Sequence, residues 1–113
     1  MATKKSTVDS VLRSLIPANV RAKPMFGEYG LYCDDVFVGL VCDDRLYLKV
    51  AALTDERLAT TELAAPYPGA RDCYLISAAG LADDDWLRTI VQATAAALPP
   101  ARRRPPRATR STR

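Results

Sequence analysis

Near the N-terminus the apolar residues Val8, Val11, Leu12, Leu15 and Ile16 recur at the three- and four-residue steps of one helix face. Ser6 or Thr7 is the expected N-cap, Asp9 sets negative charge toward the helix start, and Pro17 ends the run. A polar connector over residues 18–23 follows. The period then changes: from Met25 to Val50 three short runs of alternating character are separated by Asp34-Asp35 and Asp43-Asp44. That is the pattern of an antiparallel meander.

If each Asp pair is a two-residue hairpin loop, Cys33 faces Val36 and Cys42 faces Arg45. Cross-strand partners share a face, so strict alternation sorts the meander into two sides. One side carries Tyr32, Phe37, Val41, Leu46, Leu48 and Val50, with Gly30 and Gly39 among them. It is wholly apolar or small, and is expected to pack against helices. The other carries Tyr29, Leu31, Val38, Leu40, Arg45, Tyr47 and Lys49.

Further on, Thr54 is placed to cap a second helix, with Asp55 and Glu56 in its first turn and Leu58 and Leu63 as contacts. Pro66, Pro68 and Gly69 predict a loop, Cys73 to Ile76 a fourth strand, and Gly80 a turn. Asp83, Asp84 and Asp85 open the clearest helix, where acids favour the positive helix end. Trp86, Leu87, Ile90, Val91, Thr94 and Leu98 supply its apolar stripe, and Pro99-Pro100 closes it. The predicted fold is α+β in two layers, an antiparallel sheet of about four to five strands against helices. Its element order is helix, strands, helix, strand, helix.

With 113 residues, 49% of them apolar and 26% charged, one ordinary globular domain is expected. It should occupy residues 7–98, between a flexible N-terminus at 1–6 and an Arg/Pro-rich tail at 99–113. That tail lacks the apolar surface to fold alone. No apolar run approaches the roughly 20 residues of a membrane span, and no apolar stretch follows Lys4 and Lys5 as in a secretory signal. A cytoplasmic protein without membrane contact is expected.

Charge is unevenly distributed. Six of the 16 basic residues, Arg102, Arg103, Arg104, Arg107, Arg110 and Arg113, lie in the tail without an acid. Ten bases against 13 acids remain, so residues 1–100 carry −3 while the whole chain carries +3. On net charge the domain itself is a poor match for a basic nucleic-acid groove. The tail is either a phosphate-binding extension for DNA or RNA or a solubilising one.

Chemistry is sparse. Cys33, Cys42 and Cys73 form no C-x-x-C pair and the chain has no histidine, which speaks against a zinc site. In strands these cysteines are expected to behave as small buried apolar residues. The adjacent acids Asp83–Asp85 suit a helix start better than a convergent metal site. Lys49 has neither a paired acid nor a histidine in its motif. The expectation is a protein that is not an enzyme, with no cofactor, no metal and no small-molecule substrate.

The runs Pro24-Met25-Phe26-Gly27, Tyr29-Gly30-Leu31-Tyr32 and Arg45-Leu46-Tyr47-Leu48-Lys49 resemble the N-terminal domain of the TfoX/Sxy family, regulators of bacterial DNA-uptake competence. The resemblance extends over about residues 7–98, the span of one domain. It implies a non-enzymatic two-layer α+β domain associated with transcriptional control. Glu28 stands where such domains often have a second glycine, and the arginine-rich tail stands where full-length regulators carry a helical second domain. The reading that follows is a regulatory or protein-interaction module, contacting a protein partner or a second copy of itself. Its candidate surface is Tyr29, Leu31, Val38, Leu40, Arg45, Tyr47 and Lys49; the alternative is nucleic-acid binding through the tail arginines.

Overall fold

The computed structural model describes residues 3–25, 27–51 and 53–98. In chain order the elements are α1 (Lys5–Leu15), β1 (Val20–Met25), β2 (Glu28–Cys33), β3 (Val36–Cys42), β4 (Arg45–Leu48), α2 (Glu56–Ala59), β5 (Leu63–Ala64), β6 (Cys73–Leu75), α3 (Ala78–Leu81) and α4 (Asp84–Ala97). The strands form one antiparallel sheet in the order β1-β2-β3-β4-β6-β5. The α+β class holds, with more strands than expected. The connector at 18–23 belongs to β1, paired from Val20↔Cys33 to Met25↔Glu28. The two-residue β5 was also missed, and it takes Leu63 away from the second helix.

Both Asp pairs make the predicted tight loops. Asp34, Asp35, Asp43 and Asp44 all have positive φ, between 51° and 65°. That is the left-handed backbone of a type I′ turn, whose twist matches the flanking strands. Asp tolerates it because its short polar side chain can bond locally.

The helices cover one side of the sheet. Val8, Val11 and Leu15 of α1, Leu58 of α2, and Leu87, Ile90, Val91 and Ala95 of α4 share a core with Leu31, Val38, Val41, Leu46 and Leu48. Full burial of a leucine or valine contributes on the order of 1.5–3 kcal/mol, so this core holds most of the fold's stability. As expected, α4 begins at the acids: the Asp83 carboxylate accepts from the Trp86 N–H at 3.2 Å. The short helices are capped likewise, α2 by Asp55 rather than Thr54, and α3 by Ser77, which places Gly80 in a helix instead of a turn. Ile16 lies beyond the end of α1 and is 65% exposed.

α1 has no cap of its own, neither Ser6 nor Thr7. Its N-cap is Lys4, whose N–H donates to Asp44 Oδ1 at 2.8 Å, and the Thr7 hydroxyl donates to the same oxygen at 2.9 Å. Thr3 is buried, with its hydroxyl between the Glu28 carboxylate and the Val41 carbonyl, and it accepts from the Asp44 N–H at 3.3 Å. Thr3 and Lys4, expected to lie outside the domain, are thus tied onto the β3–β4 hairpin, and α1 already includes Lys5 and Ser6.

The largest correction concerns the two sides of the meander. Cys33↔Val36 and Tyr32↔Phe37 pair as expected, but the next pair is Leu31↔Gly39, which leaves Val38 as an additional residue on β3. A β-bulge of this kind inverts the alternation beyond it. Leu31 and Val38 therefore turn into the helix-side core at 0% exposure, and Tyr29 packs against it. Gly30, Tyr32 and Phe37 belong to the opposite side. Beyond the bulge Cys42↔Arg45 and Leu40↔Tyr47 hold, so Val41, Leu46 and Leu48 face the helices as predicted. Val50, placed with them in the sequence reading, lies past β4 and is 48% exposed. Gly39 permits the close approach: a Cβ there would collide with the Tyr47 carbonyl oxygen and stand 3.1 Å from Leu48 Cα.

Candidate interaction face

On the outer side of the sheet Leu40, Cys42, Tyr47 and Cys73 form a second buried cluster, with Met25, Phe37, Ala64 and Leu75 against it. Among the described residues no helical one belongs to it. Part of its cover is the β5–β6 loop, which folds back over the far end of the sheet. Pro66, Tyr67 and Pro68 of that loop, with Met25, Leu40 and Cys42 of the sheet and Glu28 and Asp43 beside them, line a groove of about 590 Å³. Tyr67 remains 55% exposed. Of the two acids at the groove Glu28 is already engaged, since its carboxylate bonds Thr3 and accepts from the Asp43 N–H at 3.1 Å.

All three cysteines are free and buried, as their strand positions predict. Burial, reinforced by the charges of Glu28 and Asp43, pushes the Cys42 thiol up from 9.0 to about 11. Burial also raises Cys33 and Cys73, with neighbouring Lys49 pulling Cys73 partly back. At neutral pH these are protonated thiols, the opposite of an activated nucleophile. Among the described residues no group of three or more His, Cys, Asp or Glu could hold a metal ion.

Next to the groove, side chains from β1, β2 and β3 and from Lys49, just past β4, form a row. The Arg21 guanidinium lies 5.9 Å from the Tyr32 ring centroid, Tyr32 and Phe37 are 5.2 Å apart with rings tilted by 44°, and Lys49 Nζ lies 5.2 Å from the Phe37 centroid. Arg21 also pairs with Asp35 at 2.8 Å. Gly30 makes room beneath the row: a Cβ there would stand 2.9 Å from Met25 Cε and 3.1 Å from Phe37 Cε1.

Of the residues nominated from sequence, Leu40, Arg45, Tyr47 and Lys49 share this outer side; Leu40 and Tyr47 are buried in its cluster, and Arg45 is exposed. Tyr29, Leu31 and Val38 do not, because the bulge turns them inward. Sequence reasoning missed Met25, Tyr32, Phe37 and Tyr67. The available signal was Gly39, an interior strand glycine of the kind that marks bulges and close backbone approach. The tail candidates Arg102, Arg103, Arg104, Arg107, Arg110 and Arg113 lie outside the described residues.

A second polar cluster is structural. Trp86 Nε1 donates to the Asp55 carboxylate at 3.2 and 3.3 Å, Arg57 sits 4.5 Å from the Trp86 ring centroid, and Arg57 pairs with Asp83 at 3.2 Å. These contacts fasten α2 to the start of α4. Among the described residues no helix is long and apolar enough to cross a membrane.

Comparison with known proteins agrees with this architecture. A Spirochaeta aurantia protein, designated an uncharacterized 12.7 kDa protein in the trpE 5′ region, is 38% identical over 100 residues, spanning 88% of this chain and 86% of its own. Residues 11–98, from within α1 to the end of α4, match the family model of the TfoX N-terminal domain. The chain belongs to the TfoX N-terminal domain family.

Proposed function

We propose that this TfoX N-terminal domain acts by binding rather than by chemistry, as a regulatory, protein-interaction module linked to transcription or competence control. The observation that carries this reading is the groove over the second cluster. It is apolar, rimmed by an exposed tyrosine, and formed where a loop replaces helical cover. Apolar recesses with an aromatic at the edge are what a protein partner fills with an anchoring side chain. A second copy of the chain is one such partner. The raised thiols and the engagement of Glu28 support binding over catalysis.

Tyr67→Asp tests it, because Tyr67 projects from a loop and contributes little to either core. Capture from the native cell with the full-length chain should yield a partner that Tyr67→Asp fails to retain, at an unchanged melting temperature. An identical captured set would remove the groove as the interface. Sedimentation at micromolar concentration reads the self-association branch directly, and a strict monomer ends it. The second reading, an auxiliary nucleic-acid binder, rests on the six tail arginines. It predicts binding that weakens steeply with salt and disappears when they are replaced by glutamine.

A further inference from the structure

We infer that the outer side of the sheet, at the row Arg21–Tyr32–Phe37–Lys49, is a binding platform for single-stranded nucleic acid. The site neighbours the groove but is chemically distinct from it, and it needs neither the groove nor the tail.

Three observations converge on that ligand. Tyr32 and Phe37 are cross-strand partners on the central strands β2 and β3, their rings 5.2 Å apart and leaning over Gly30. Aromatic surface therefore lies over the β2–β3 hairpin, where neighbouring bases can stack. Cations flank the rings on both sides, Arg21 from β1 and Lys49 beyond β4. Two more share this side by register, Lys23 opposite Gly30 and Arg45 opposite Cys42. Three of the ten basic residues at 1–100, Arg21, Lys23 and Lys49, thus lie around the ring pair, with Arg45 at the far end of the same side, although residues 1–100 carry −3 overall. Of the acids on this side, Glu28 is taken up by Thr3 and the Asp43 N–H, and Asp35 is held by Arg21 at 2.8 Å at the solvent-exposed end of the row.

Rings between cations on an antiparallel sheet provide two complementary contacts, π-faces for bases and positive charge for the phosphates that connect them. Protein interfaces share the aromatics and arginine but are depleted in lysine, so it is Lys49 over Phe37 and Lys23 on the same side that favour a nucleic acid. Duplex DNA fits poorly, because its bases are already stacked and cannot reach the rings. Two rings suit two bases, read by stacking and so with little sequence preference.

Fluorescence anisotropy of the full-length chain at low salt tests this, with labelled oligo-dT and oligo-rU of about 12 nucleotides and a duplex of equal length. Single strands should bind more tightly than duplex. Tyr32→Leu and Phe37→Leu keep apolar bulk and remove the ring; each should weaken single-strand binding about tenfold. Arg21→Ala with Lys49→Ala, substitutions at the edge of the row, should lower the salt slope by about 1 and cover the case in which Phe37→Leu disturbs the second cluster. Replacing the six tail arginines by glutamine should leave the ring dependence intact, and Tyr67→Asp should leave nucleic-acid binding unchanged. Equal or tighter duplex binding, indifferent to the ring variants, would assign all affinity to the tail and overturn the platform. Absence of single-strand binding would overturn it too, and ring variants that instead release a protein partner would make the row part of a protein interface.

Discussion

The two sides of this sheet are made from the same strands and serve different ends. β4 shows it within four residues: Leu46 and Leu48 point into the helical core at 1% and 0% exposure, while Arg45 and Tyr47 point the other way. Toward the helices Leu31, Val38, Val41, Leu46 and Leu48 share a core with α1, α2 and α4 and are sealed from water, with Tyr29 and Tyr74 partly buried at its margin. Toward the outside the cover is a proline-rich loop over one part and cation-flanked rings over another. Apolar surface with complete cover supplies stability, and apolar surface with partial cover is available for recognition.

The comparison breaks most visibly on stability. Leu31→Ala and Leu48→Ala should each cost about 2–5 kcal/mol in urea unfolding, whereas Tyr32→Leu on the other side should cost under about 1.5 kcal/mol. Equal losses would erase the distinction between the two sides. Gly39→Ala comes next, at about 1–3 kcal/mol, because the added carbon meets β4 backbone that has no rotamer to yield. Replacing Gly30, whose neighbours are the flexible ends of Met25 and Phe37, should cost less.

A pH effect of smaller size belongs to the outer cluster. The folded state holds the Cys42 proton up to about 11, while the unfolded chain releases it near 9.0. Stability is therefore whole below pH 9.0 and falls as pH rises through about 11. Cys42→Ala should flatten that decline, as read from urea midpoints on either side of the window. The smallest effect compares the two hairpin tips. Asp35→Gly and Asp44→Gly relieve the same positive-φ position, but only Asp44 also caps α1 through the Lys4 N–H and Thr7. Asp44→Gly should lower the melting temperature and Asp35→Gly should not. The Lys4 N–H and the Thr7 hydroxyl hold the Asp44 carboxyl below its usual range. Its contribution is thus present at neutral pH and lost as pH falls through that lowered value.

Much of the fold was legible because it is local. Helical spacing from Val8 to Leu15, the acids before Trp86 and both Asp-Asp turns are each encoded within a few residues and appear as expected. β1 was not legible, since Arg21 and Lys23 read as a connector until β2 pairs with them. The cap of α1 is not local either, as it comes from Asp44. The candidate site suffered most from a single residue. Alternation placed Leu40 to Leu48 correctly, but the additional Val38 reversed the sides of β2 and of Phe37 and Val38, so that Tyr32 rather than Leu31 faces out. The β2–β3 pairing, Tyr32↔Phe37 followed by Leu31↔Gly39, shows where that exchange occurs.

Which side of β2 meets solvent is therefore the decisive question, and one thiol measurement answers it. The native cysteines are buried and protonated, so they react slowly in the folded protein and give a quiet background. Tyr32→Cys should be modified by a thiol reagent at the rate of an accessible cysteine, and Leu31→Cys should stay silent until the protein is unfolded. Rapid modification of Leu31→Cys with Tyr32→Cys protected would contradict the face assignment, and with it the platform placed on that side.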